Sequence, residues 1–141
     1  DFAHCFGCGR HNANGHQIKT YATDAGTITR HIPSPHYTGA GDFAYGGIIA
    51  SLIDCHSAGS AAIFWLQDHK QRVGDGPAPR FVTARLEVDF VAPTPLGLMT
   101  LVGTADEVGE RKVVVHTELR SESDITARGR AVLVKVPALD D

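Results

Sequence analysis

A chain of 141 residues with 43% apolar, 21% charged and 7% aromatic side chains has the composition of one ordinary globular domain with enough apolar mass for a real core. Its formal charge of −3 argues against nucleic acid as a partner. No charge run or secretory leader is present and the longest apolar run reads as too interrupted for a bilayer, so no membrane partner and a cytoplasmic location are expected.

The chain begins with Asp rather than Met, which leaves room for an upstream segment. Residues 1–16 are turn-rich and carry Cys5-Phe6-Gly7-Cys8-Gly9, with His11 and His16 following. Four soft or borderline ligands so close together invite a zinc reading, although two residues between Cys8 and His11 are fewer than a finger uses. The competing reading is a glycine-rich turn whose small thiols pack under a sheet edge, and it is the expectation, with no metal. The third cysteine, Cys55, makes an odd count that fits a reducing compartment better than a disulfide framework.

Residues 17–23 and 26–32 alternate about Asp24-Ala25-Gly26 and read as a hairpin. Residues 33–42 are turn formers, a loop placed to rim a pocket before the next element. That element, residues 46–70, is the centre of the chain: Ile48, Ile49, Leu52 and Ile53 fall at helical spacing, and Ala58, Ala61 and Ala62 continue the stripe. Asp54 is the one carboxylate in its apolar stretch from Tyr45 to Trp65. An ionised carboxylate on an apolar helix costs several kcal/mol unless it is paired or hydrated, so it serves either a structural bond or a function. Gly46 and Gly47 leave the first-turn N–H groups bare for a ligand oxygen, or simply mark a tight entry turn. Eight residues separate Gly46 from Asp54, about 12 Å of rise, so one carbonyl cannot meet both on the same helix. If both serve one substrate, a second copy must supply the carboxylate, which predicts a symmetric dimer.

After a loop over residues 74–79, residues 81–92 run with a period of two, with Val82, Ala84, Leu86, Val88 and Phe90 on one face and Thr83, Arg85, Glu87 and Asp89 on the other. Residues 98–108, 112–120 and 126–136 repeat the pattern across short connections, as antiparallel neighbours do. The sum is α+β: a long curved antiparallel sheet wrapped around one apolar helix. His56 would point away from Asp54 as a core or interface histidine with its N–H satisfied. Phe43, Phe64, Trp65 and Phe81 suit either an aromatic-acyl pocket or plain core.

Gly46-Gly47 with Asp54 behind them, Val82-Thr83 leading to Asp89-Phe90-Val91-Ala92-Pro93 and Leu96-Gly97, and then Gly109-Glu110-Arg111-Lys112, together resemble the hot-dog-fold acyl-CoA thioesterases of the phenylacetic-acid-pathway (PaaI-like) type. The opening Cys-Phe-Gly-Cys-Gly with Asn12 and Gly15 is similar to a subset of them, and the match covers nearly the whole chain in order. The resemblance implies a single hot-dog domain over residues 1–141 that hydrolyses an acyl- or aroyl-CoA thioester without cofactor, as a homodimer with a dimer of dimers left open. Gly46 would polarise the carbonyl through its N–H, and Asp54 of the partner subunit would activate water or attack. Thr83 would orient the water, although Thr is also an ordinary strand residue. The implied substrate contacts are Tyr45, Gly47, Gly39, Arg85, Phe90, Gly109, Arg111, Lys112, Arg128 and Arg130, where each arginine is equally a solvated strand residue.

Two positions depart from the family. Tyr45 stands where relatives usually have His, and Gly39 where Asn or Gln is common, which keeps a binding module without turnover in play. A hydratase is the third reading, and it requires His36 or His56 to reach Asp54 of either subunit.

Overall fold

A computed structural model describes residues 2–137. A single 3-10 turn, Phe2–His4, precedes β1 (Tyr21–Thr23), β2 (Gly26–His31), α1 (Gly46–Asp68), β3 (Arg80–Phe90), β4 (Met99–Val108), β5 (Lys112–Ser121) and β6 (Asp124–Val136). The strands form one antiparallel sheet in the order β1-β2-β4-β5-β6-β3, leaving β1 and β3 at its edges. The sheet wraps α1, which is the hot-dog arrangement that the resemblance implies.

The apolar stripe of α1 explains the packing. Ile48, Ile49, Leu52 and Ile53 are buried against Met99, Leu101, Leu119 and Ala127, and the second half of the helix packs Ala61, Phe64 and Trp65 on Val113, Val115, Ala131 and Leu133. Fully burying each large aliphatic side chain contributes roughly 1.5–3 kcal/mol. Helix and sheet approach closely at Gly129, where a Cβ would collide with Ile53. Between the two apolar clusters lies a polar belt of buried His56, Ser57, Ser60, Thr27, Thr29 and Thr117.

At 23 residues, α1 has the length and apolar composition of a membrane span, contrary to the expectation from its interrupted run. Its place as the wrapped core helix accounts for both. It ends two residues short of the expected boundary, where Lys70 turns left-handed (φ 55°) and the N–H groups of Gln71 and Lys70 close on the carbonyls of Leu66 and Gln67 at 2.8 and 3.1 Å.

Two expectations fail for local reasons. The first hairpin arm is only three residues, because Gln17 is left-handed (φ 51°), its amide donates to the Asn12 carbonyl at 3.0 Å, and the Ile18 N–H bonds the Gly7 carbonyl at 3.0 Å. Those residues belong to the N-terminal turns. Second, β3 does not keep strict alternation. Its register against β6 slips between Thr83 and Arg85, a bulge that leaves Ala84 unpaired. Before the bulge Phe81 and Thr83 are the more buried residues while Val82 and Ala84 are exposed; after it Leu86 and Val88 turn inward.

Candidate active site

The entry to α1 is held by backbone bonds: Ala44 N–H to the Thr94 carbonyl (2.8 Å), Tyr45 N–H to the Tyr37 carbonyl (3.1 Å) and Gly39 N–H to the Phe43 carbonyl (2.7 Å). Tyr45 is the N-cap in extended conformation (ψ 151°) and its side chain makes no capping bond. The N–H groups of Gly46 and Gly47 find no acceptor among the described residues, so they point bare dipoles outward at the positive end of the helix. A Cβ on Gly46 would come within 3.2 Å of the Phe90 ring, and one on Gly47 would collide with the Tyr45 ring. Thus the Tyr45-Gly46-Gly47 turn, Gly39 and Phe90, from three separate parts of the sequence, meet at one spot.

The second group lies two turns down the helix. The Thr83 hydroxyl donates to Asp54 Oδ1 at 2.5 Å, and both residues are half-buried. The bulge at Ala84 makes this contact possible, because it sets Thr83 on the helix-facing side rather than with Arg85. Asp54 is paired with a side-chain hydroxyl, and its second oxygen remains as an acceptor. With its proton committed, the Thr83 oxygen can still accept from a water.

A cavity of about 770 Å³ opens along the same helix face. Its wall includes Ala58 and Ala62, which follow Asp54 at i+4 and i+8, and Phe81, which shares the inward side of β3 with Thr83. Arg10, Arg80 and Lys135 also line it, and Arg80 Nη1 is buried without a hydrogen-bond partner. Sequence reading assigned none of these except Phe81 to a pocket. The available signal was the i, i+4, i+8 row of small residues behind the carboxylate. Phe64 and Trp65 are core, and Phe43 is 41% exposed.

The remaining candidates lie elsewhere. Arg85 pairs with Glu87 at 2.9 Å, and Arg130 with Glu87 at 3.9 Å and Asp106 at 3.6 Å, a charge network with His116 on the outer face. Arg128 borders a small outer pocket of about 310 Å³ beside His116 and Glu118. Gly109, Arg111 and Lys112 form the β4–β5 turn, where Lys112 pairs with Glu107 at 3.0 Å and Trp65 donates to the Glu110 carbonyl at 3.0 Å. That turn sits by the far end of α1, roughly 30 Å of helix from Gly46.

His56 is fully buried, with Nδ1 2.8 Å from the Thr29 hydroxyl and Nε2 3.3 Å from the Ser60 hydroxyl. Burial lowers its pKa to about 4, so it is neutral, and its nitrogens are engaged away from Asp54. His36 is an exposed loop residue.

The thioesterase superfamily model matches residues 41–127, a span that includes Gly46, Asp54, Thr83 and the β4–β5 turn. The Xenopus laevis acyl-coenzyme A thioesterase THEM4 is 29% identical over 93 residues, 65% of this chain and 36% of that protein, so the chain spans about a third of its relative's length. Among solved structures, a thioesterase superfamily protein from Shewanella loihica is 43% identical, with 89% of this chain and 96% of that one covered and a TM-score of 0.71. The E. coli PaaI protein, from the phenylacetic acid degradation operon, shares the fold at 16% identity, with 86% and 81% covered and a TM-score of 0.69. By the family match over more than half its length, the chain belongs to the thioesterase superfamily.

Proposed function

We propose that this chain hydrolyses acyl-CoA thioesters at a site shared by two copies, one giving the Gly46 N–H and the other Asp54 and Thr83. The observation that carries the reading is the Thr83–Asp54 hydrogen bond on the face where the cavity begins. Water adds to the thioester carbonyl while Asp54 takes its proton through the free carboxylate oxygen. Thr83 accepts the other water hydrogen and fixes the angle of attack. The carbonyl oxygen, gaining charge, is stabilised by the bare N–H at the start of the helix. The C–S bond then breaks, the thiolate leaves with the proton, and the acid is released. An apolar acyl group fits along Ala58, Ala62 and Phe81, while Arg10, Arg80 and Lys135 suit the anionic coenzyme.

Two observations support the shared site. Gly46 and Asp54 lie on the same rigid helix about 12 Å apart. In addition, β3 is an 11-residue edge strand, and Phe43, Tyr45, Phe90 and Val91 are each more than 40% exposed around the helix start, an apolar face that a second copy would cover. THEM4, named for acyl-CoA hydrolysis, supports the substrate class.

The test is complementation. Gly46 is the first helical residue, where proline is tolerated, so Gly46→Pro deletes the N–H and keeps the helix. Gly46→Pro and Asp54→Asn should each be inactive alone, and after subunit exchange an equal mixture should recover about a quarter of wild-type turnover, because half the dimers hold one intact site. A mixture as dead as its parents, with exchange verified, would refute the shared site. Label from 18O water appearing in the Asp54 carboxylate would replace the general base with a nucleophile.

A further inference from the structure

The N-terminal thiols gather beside Cys55. Cys5 and Cys8 sit on α1, where their sulfurs and that of Cys55 all lie within 4.8 Å of one another, and Cys5 Sγ is 3.9 Å from Cys55 Sγ. His11 and His16, the other ligands suggested by spacing, are placed outside this group. His11 meets the His4 ring and the Arg10 guanidinium, and His16 packs edge-on against Phe6, Tyr37 and His31.

The sulfur spacing fits a metal. Zinc–thiolate bonds of about 2.3 Å in a tetrahedron place the sulfurs about 3.8 Å apart, whereas a disulfide brings them to about 2.05 Å. The supporting turn is built to hold the arrangement without the metal: Cys5 N–H bonds the Phe2 carbonyl (3.0 Å), Gly9 N–H the Cys5 carbonyl (2.8 Å), His16 N–H the Phe6 carbonyl (2.8 Å) and Ile18 N–H the Gly7 carbonyl (3.0 Å). Gly7 lies directly over Cys55, where any Cβ would collide with Sγ. Cys8 is exposed and borders the large cavity, so its side of the cluster is open, while Cys5 and Cys55 are half-buried.

We propose that Cys5, Cys8 and Cys55 form a three-thiolate site for a soft d10 cation, Zn2+ above all, with the fourth position open toward the cavity. Oxygen-seeking Mg2+ and Ca2+ are excluded by the donor set. Bound metal would clip the N-terminal turns to α1 one residue beyond Asp54. This site stands independently of the thioesterase reading, because its readout is metal and not turnover.

The experiment titrates chelator-treated, fully reduced protein with Co2+ and then Zn2+, followed by metal analysis after gel filtration. The expected result is about one ion per chain and an intense thiolate-to-cobalt charge-transfer band that zinc abolishes. Cys8→Ser, at an exposed position, and Cys55→Ser should lose band and stoichiometry while retaining the wild-type circular dichroism spectrum. His11→Ala and His16→Ala should keep both. Reduced, folded wild type that retains no metal, or binding that survives Cys8→Ser and Cys55→Ser, would overturn the proposal.

Discussion

The buried histidine gives a prediction whose size follows from the structure. His56 is fully buried and bonded to the Thr29 and Ser60 hydroxyls, and desolvation lowers its pKa from 6.5 to about 4. In the unfolded chain it titrates near 6.5, so between there and about 4 the unfolded state binds a proton that the native state refuses. His56 therefore imposes no penalty above pH 6.5, destabilises the fold progressively as pH falls, and levels off below about 4. At about 1.4 kcal/mol per pH unit, the full effect is about 3 kcal/mol. His16 and His31, both lowered by burial, act in the same direction, so the test compares wild type with His56→Gln. Urea unfolding at pH 7.5, 6.5, 5.5 and 4.5 should show the variant less stable at neutral pH by about 1–3 kcal/mol for its weakened hydrogen bonds. The two curves should converge by pH 4.5. Parallel curves, with wild type keeping its full advantage in acid, would refute the assignment of a neutral buried imidazole.

Two further predictions concern the site. Thr83→Ala removes the hydroxyl that bonds Asp54 and should lower kcat by about 10–100-fold with KM little changed, while Thr83→Ser should recover most of it; equal loss in both would mean that the methyl packing matters and the hydroxyl does not. Ala58→Leu narrows the cavity one turn from Asp54 and should lower kcat/KM for long or aromatic acyl groups by about 10-fold relative to acetyl, so an unchanged acyl profile would place the acyl group elsewhere.

How far the sequence carried depends on whether the signal was local. The start of α1 was legible because Tyr45-Gly46-Gly47 precedes a helical apolar stripe, and β4 to β6 were legible because alternation and short turns leave antiparallel hairpins as the natural connection. Asp54 stood out as the carboxylate on that helix. The Ala84 bulge was invisible: Thr83-Ala84-Arg85 contains no Gly or other mark, and strict alternation placed Thr83 on the wrong face. One inserted residue in register is decided by pairing with β6 and packing on the helix, not by the strand itself. Likewise Cys55 lies fifty residues from Cys5, so spacing rules tuned to nearby ligands offered His11 and His16 instead. The cavity escaped notice because it is made by what Ala58, Gly59 and Ala62 lack. Arg85 and Arg130 read equally as substrate contacts or solvated strand residues, because their pairing with Glu87 and Asp106 depends on strand register.

Whether Asp54 drives thioester hydrolysis is tested by thiol release from short, long-chain and aromatic acyl-CoAs by wild type and Asp54→Asn. Turnover in wild type should fall by about 1,000-fold or more in the variant, with acyl-CoA still bound and the fold intact. Comparable turnover in both proteins would contradict it, and acyl-CoA binding with no turnover in either would make this a thioester-binding domain.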